Sequence, residues 1–351
     1  MKQERDVHIE ALRGATILLV VVSHAIGIDA LGGMQVAESS VWRYIYLTLC
    51  ANYITMPLFA AIAGWVYALH PLHESTWTFL GKKAKRLLLP MIFTGTLYFV
   101  IQHFTVGTNQ TTALHDIWQI YILPHSIFWF LPALFLIFGG IALLDKWHLC
   151  DRLGSWLLIL LLSVTLSVLG HLAATVIPNY FSIWGALTML PFFLAGVGLQ
   201  RFRRTLSTPT LRQIYLWGFL GTLALFQILW FTLGSTKILQ SYQLTLPTSL
   251  LTIAFLLTIT RRSAPSFLVF FGKYAYAIYL FHAFGTAAGR IFVGFTAIHS
   301  ELLTFCCSVI LGVGVPLLAD KILRHFPLLP LLFLGQTHRA QLQKSNTTRT
   351  K

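Results

Sequence analysis

Acidic side chains are scarce in this chain, with 11 Asp and Glu among 351 residues against 25 Lys and Arg. Charged residues make up only 10% of it, where a soluble domain carries about 25%. That deficit excludes an ordinary water-soluble globule. A disordered chain is excluded from the other side, because it would be poor in apolar residues and 56% of these are hydrophobic. Cysteine is sparse too: Cys50, Cys150, Cys306 and Cys307 form no CxxC and have no nearby histidine at zinc-ligand spacing. Neither a disulfide scaffold nor a metal site is expected, and three of the four lie in apolar runs, where a thiol behaves as a small hydrophobe. The formal net charge of +14 at pH 7 would suggest nucleic acid in a soluble protein. Here the basic residues lie between long apolar runs, so no nucleic-acid partner is expected. With a mean hydropathy of +0.72, the chain reads as a polytopic membrane protein whose first partner is the lipid bilayer.

A bilayer core needs about 20 mostly apolar residues per helix. Ten stretches qualify, at 13–31, 44–69, 87–106, 126–144, 154–177, 182–200, 213–233, 244–260, 267–289 and 302–323. Runs of this length favour helices over strands, so the expected fold class is all-α, a polytopic bundle of about ten transmembrane helices. Pro191 and the glycines of 182–200 predict a kinked or partly broken helix there. Residues 1–335 form the membrane domain, and 336–351 read as a polar, disordered cytoplasmic tail. Placing the N-terminus in the cytoplasm puts 22 of the 25 Lys and Arg on that side and leaves Arg43, Lys237 and Arg290 outside. By the positive-inside rule both termini are then cytoplasmic. The first run has basic residues before it, as a signal peptide would. Ile28-Asp29-Ala30 is a poor cleavage site, however, and a histidine inside the run has no use in a signal, so it reads as a retained first helix.

That histidine is His24. It follows Arg13 by eleven residues, about three helical turns, which places both on one helix face about 16 Å apart along the axis. Arg13 falls at the cytoplasmic interface and His24 near mid-membrane, while Glu10 lies one turn before Arg13 and can pair with it. Ionisable groups at membrane depth usually face a polar interior or a pathway. The same residues read equally as a topology-setting arginine and a hydrogen-bonded packing histidine.

Ile9-Glu10-Ala11-Leu12-Arg13-Gly14 followed by His24 resembles the opening of the acyltransferase-3 family of integral membrane acyltransferases. Further stretches resemble that family in its order. They are Met56-Pro57-Leu58-Phe59 running to Gly64-Trp65, Lys82-Lys83-Ala84-Lys85-Arg86-Leu87-Leu88-Leu89-Pro90, Phe128-Trp129-Phe130-Leu131, and Tyr276-Ala277-Ile278-Tyr279-Leu280-Phe281-His282. The likeness covers about residues 5 to 325. Ala63 and Ala275 replace serines common in the family, Lys83 stands where arginine is common, and the esterase-like C-terminal domain of some longer members has no counterpart.

The resemblance implies transfer of an acyl group, acetyl in the first instance, from acetyl-CoA or another acyl-CoA to a hydroxyl. The acceptor it implies is an envelope carbohydrate or lipid-linked glycan, and the location the bacterial inner membrane. Coenzyme A is then a donor substrate, and no bound cofactor is expected. Acyl transfer to an alcohol needs a base near the hydroxyl, and His24 is the candidate catalytic residue, as general base or as nucleophile. The phosphates of coenzyme A need cations, for which Arg13, Lys83 and Arg86 are the candidates. Glu10, Tyr279 and His282 are supporting residues. Tyr279 and His282, one turn apart, either line the same cavity as His24 or hydrogen-bond to each other. Trp129 suits guiding an acyl chain, stacking on a sugar or anchoring at the interface, whereas His103 and His171 have no partner readable from sequence. A secondary transporter or flippase for a small or lipid-linked substrate is the alternative. Against it stand the lack of a visible repeat and the shortage of intramembrane acids for ion coupling.

Overall fold

The computed structural model describes residues 6–27, 32–37, 40–50, 54–70, 74–109, 113–123, 125–233, 242–259, 263–296, 298 and 300–336. Nearly all of the tail 336–351, the trio Ile28-Asp29-Ala30, and Lys237 lie outside these. Among the described residues the secondary structure is helical, with no strand. The helices are α1 (Val7–Ile26), α2 (Val41–Ile45), α3 (Thr55–Ala68), α4 (Thr76–Phe104), α5 (Gln119–Ile122), α6 (Phe130–Lys146) and α7 (Leu153–Ala173). They continue with α8 (Ile183–Arg201), α9 (Arg203–Leu206), α10 (Pro209–Leu233), α11 (Tyr242–Thr258), α12 (Ser266–Gly294), α13 (Glu301–Leu323) and α14 (Leu329–Leu334). Among the described residues, eight helical segments are long and apolar enough to cross a membrane, and two shorter apolar helices, Thr55–Ala68 and Leu244–Thr258, match the remaining expected stretches.

Local chemistry sets several boundaries. The Asp6 carboxylate caps α1 by accepting from the amides of His8 and Ile9 at 3.0 and 3.3 Å, the role for which a short acidic side chain suits an N-cap. At the other end Gly27 turns the chain at φ 66°, a left-handed conformation that glycine adopts without steric cost. The helix thus stops five residues short of the expected end at 31, and His24 stands in its last turn rather than in its middle. The expected run 44–69 is divided as well. It holds the end of α2, a π-helical turn over Tyr46–Cys50, and then α3, with Pro57 in its first turn, where a missing amide costs no helical bond.

Of the kink or partial break expected at Pro191, the break does not occur. α8 carries that proline inside it, as α4, α11 and α13 carry Pro90, Pro247 and Pro316, and neighbouring helices make such prolines tolerable in membrane spans. The chain instead departs from helix just before α8, where Phe181 and Ser182 have φ of 50° and 58°.

The chain divides into two units. One holds residues 1–73, 141–177 and 187–275, and the other residues 74–140, 178–186 and 276–351. In the first, α1 packs on α3 and α10 on α11, and backbones meet at glycines. A Cβ at Gly14 would fall 1.9 Å from the Leu268 carbonyl oxygen, and one at Gly272 would fall 1.9 Å from that of Glu10. Gly64 and Gly196 do the same for α3 and α8, against the carbonyls of Phe193 and Ala61 at 2.0 and 1.9 Å. In the second unit Gly285 and Gly289 admit the α13 backbone at Leu311 and Cys307, and α14 packs on α4. Small residues at such crossings are the means by which membrane helices gain van der Waals contact when lipid is as apolar as their side chains.

Candidate active site

Glu10, Arg13 and His24 belong to the first unit. α1 runs unbroken from Val7 to Ile26, so the eleven-residue spacing does put Arg13 and His24 on one face, about 16 Å apart. Arg13 Nη1 donates to Glu10 Oε1 at 3.2 Å, with the two side chains 30% and 12% exposed. The expected pairing is therefore made. Half-buried and charge-assisted, it fixes the guanidinium close to its own helix. Gly14, directly after Arg13, is the residue whose missing Cβ lets the start of α12 approach, and Gly272 answers it beside Glu10. The Leu-Arg-Gly string thus joins a cation to a close crossing. His24 is exposed and lies in the helix's last turn.

Lys83, Arg86, Tyr279 and His282 belong to the second unit. Of the basic stretch on α4, Lys82 pairs with Glu74 at 2.5 Å and is 68% exposed. Lys83 turns inward, its ammonium 3.9 Å from the centre of the Phe138 ring and 5.1 Å from that of Phe79. Arg86 lies over the Tyr276 ring at 4.0 Å and donates from Nη1 to the Leu334 carbonyl at 2.6 Å, while the Tyr276 hydroxyl donates to the backbone carbonyl of Arg86. Stacking suits a planar guanidinium better than an ammonium. Gly335, at φ 58°, closes the same contact, since a Cβ there would meet the Lys85 carbonyl oxygen at 2.7 Å.

Further along α12 the Tyr279 hydroxyl donates to the Ile127 carbonyl rather than to a histidine ring. His282 is fully buried, and its Nδ1 faces the carbonyls of Tyr279 and Ile278 at 2.8 and 3.1 Å. Carbonyls only accept, so Nδ1 carries the proton and Nε2 of the neutral ring carries the lone pair. The expected Tyr279–His282 hydrogen bond is replaced by two separate bonds to backbone.

One charged cluster escaped the sequence reading. Arg201, closing α8, grips Asp145 of α6 with Nη1 at 2.8 Å and Nη2 at 2.5 Å. The Tyr67 hydroxyl donates to the same carboxylate at 2.7 Å, and the pair is 19% and 12% exposed. The available signal was Asp145 itself, the single acid of a 17-residue apolar helix, which has to find a cation if it is to be buried.

A family model described as an acyltransferase domain matches residues 6–321. The chain belongs to that family, the acyltransferase-3 family of integral membrane acyltransferases. Among curated proteins it is similar to nodulation protein NolL of Sinorhizobium fredii, 28% identical over 176 residues, which is 49% of this chain and 46% of the relative. It is also similar to nodulation protein NolL of Mesorhizobium japonicum, 28% identical over 157 residues, 44% of this chain and 39% of the relative. The matches thus span less than half the length of these relatives. No solved structure matches the chain.

Proposed function

We propose that this protein is a membrane O-acyltransferase of the bacterial inner membrane. In this reading it moves an acyl group, acetyl in the first instance, from acyl-CoA to a hydroxyl of an envelope carbohydrate or lipid-linked glycan. The observation that carries the reading is the family match over residues 6–321. It is supported by the unbroken α1 that keeps Arg13 and His24 of the opening motif on one face.

The chemistry asks for a base and for cations. His24 takes the acceptor hydroxyl's proton as the oxygen attacks the thioester carbonyl. The carbon–sulfur bond then breaks, an ester is left on the acceptor, and the departing thiolate recovers the proton from the imidazolium. Arg13, Lys83 and Arg86 are the proposed contacts for the donor's phosphates, Arg through its fork and Lys as a point charge. The roles of Glu10 and Tyr276 are to hold Arg13 and Arg86, with which they interact.

The test is release of free coenzyme A thiol by the purified protein supplied with acetyl-CoA and a glycan acceptor, with ester-linked acetyl measured on the product. Thiol release that depends on acceptor supports the reading. Acceptor transport across vesicles with no thiol released would sink it in favour of a transporter.

A further inference from the structure

Three half-buried arginines each hold a carboxylate: Arg13 holds Glu10, Arg201 holds Asp145 and Arg324 holds Asp320, at 3.2, 2.5 and 2.6 Å. Arg290, near the end of α12, is half-buried too. Its Nη1 donates to the neutral side-chain carbonyl of Asn109. Among the described residues, the one titratable group close enough to act on it is the Tyr98 hydroxyl. A cation partly withdrawn from water inside a membrane span is costly without a counter-charge.

Arg324, in the same unit, shows what is missing. There Nη1 donates to the side-chain carbonyl of Gln336 at 3.3 Å, while Nε and Nη2 grip the two oxygens of Asp320 at 2.6 and 2.7 Å. The Nε–H and Nη2–H bonds of a guanidinium form a planar fork that fits a carboxylate or a phosphate. Arg290 repeats the first half of this arrangement, with Nη1 on an amide carbonyl. Its Nε–Nη2 edge meets no acceptor among the described residues, and neither nitrogen is sealed off inside the protein.

The local sequence builds this corner. α4 ends at Phe104, and Gly107, at φ 83°, turns the chain beside the Ile291 side chain, which a Cβ there would meet at 3.7 Å. That turn delivers Asn109 to α12. The Tyr98 hydroxyl hydrogen-bonds to Ser126, which is exposed. Arg290 follows Tyr276 by fourteen residues, about 21 Å along the axis, so it stands at the end of the span opposite Arg86. The distribution of Lys and Arg assigns that end to the outside, away from a cytoplasmic acyl-CoA.

We propose that the Nε–Nη2 edge of Arg290 binds an oxyanion carried by the acceptor. The oxyanion is either the phosphate that links a glycan to its lipid or the carboxylate of an acidic sugar. Either supplies the missing counter-charge, which a neutral sugar does not. Naming the ligand as the acceptor rests on the acyltransferase reading, whereas the oxyanion site does not.

The experiment treats the purified full chain with phenylglyoxal, which modifies guanidinium nitrogens, and reads the modified peptides by mass spectrometry. Arg290 should react faster than Arg324, whose edge Asp320 occupies. Geranyl phosphate or glucuronate, at about ten times its Kd, should slow the reaction at Arg290 about tenfold, and geraniol and glucose should leave it unchanged. Protection by either anion supports the proposal, and the stronger of the two identifies the source. Arg290→Gln should weaken calorimetric binding of that anion about tenfold or more, the worth of a charge-assisted contact, and Arg290→Lys should restore only part. Protection by neither anion, equal protection by phosphatidylglycerol, or an Arg290 as slow as Arg324 without ligand overturns the proposal. The protection measurement uses the unaltered chain, so it decides even where a variant fails to fold.

None of these measurements needs turnover. Absence of thiol release with every donor would defeat the acyltransferase reading while leaving the oxyanion site standing. With turnover, Arg290→Gln should raise the KM for acceptor about tenfold and leave that for acyl-CoA unchanged. The opposite split would overturn the assignment to the acceptor.

Discussion

Among single side chains His24 has the most at stake, because the proposed proton transfer passes through it. His24→Ala should lower turnover about 10²–10⁴-fold, the usual worth of a positioned base, while acyl-CoA binding by calorimetry stays unchanged. If the imidazole instead carries the acyl group, acyl-CoA alone will leave a stoichiometric acylated peptide containing residue 24. Full activity in the alanine variant would pass the role to His282, whose Nε2 has the lone pair a base requires. Arg13→Ala and Arg86→Ala should raise the apparent KM for acyl-CoA more than that for acceptor. Arg86→Lys should recover only part of this, since an ammonium cannot reproduce the stack on Tyr276. Cys150 offers a check outside the spans. Burial, and then the Asp145 carboxylate, push its thiol up to about 11. Because the thiolate is the reactive form, iodoacetamide should modify Cys150 about 100-fold more slowly at pH 8 than an ordinary thiol. Its rate should then climb with pH until about 11. Rapid labelling at pH 8 would mean that the Asp145–Arg201 corner is open.

At the scale of helices, crossings through glycine are the features most sensitive to change. Gly196→Ala sets a methyl 1.9 Å from the Ala61 carbonyl oxygen, and that neighbour is backbone with no rotamer to turn. The expected outcome is a loss of about 1–3 kcal/mol, the usual cost of overpacking, seen as a lower melting temperature. Gly139→Ala, where a Cβ meets nothing within 4 Å, serves as the neutral control. This scale also shows what could be read from sequence. Ten apolar runs were legible because length and hydropathy alone define a span. The Arg13–His24 register was legible because an apolar run of that length fixes a 3.6-residue period. The end of α1 was hidden, since the left-handed turn at Gly27 interrupts a stretch that is apolar on both sides. That α8 runs on through Pro191 was not legible, because a proline's cost depends on neighbours that no local pattern reveals. Tyr276 was quoted in a motif yet given no role, as its stacking on Arg86 joins residues 190 positions apart.

For the molecule as a whole, the distribution of charge makes a claim about orientation. With 22 of 25 Lys and Arg assigned to one side, both termini are proposed to be cytoplasmic. In a cysteine-free background, single cysteines at Gln35 and Thr108 should react with an impermeant maleimide in intact cells, and those at Lys82 and Thr205 only after lysis. Labelling of position 82 from outside would overturn this orientation. The contact between Arg86 and the Leu334 carbonyl bears on how the molecule is made. Its partners are 248 residues apart, so at about 5–20 residues per second a ribosome needs about 12–50 s to supply the second after the first. Every apolar helix up to α13 can enter the bilayer before Leu334 is made, with Arg86 still lacking this bond. A message cut short at codon 328 would therefore yield a protein that inserts normally yet leaves Arg86, one of its proposed donor contacts, without the Leu334 carbonyl that holds it, a defect visible to an activity assay and invisible to a test of membrane integration.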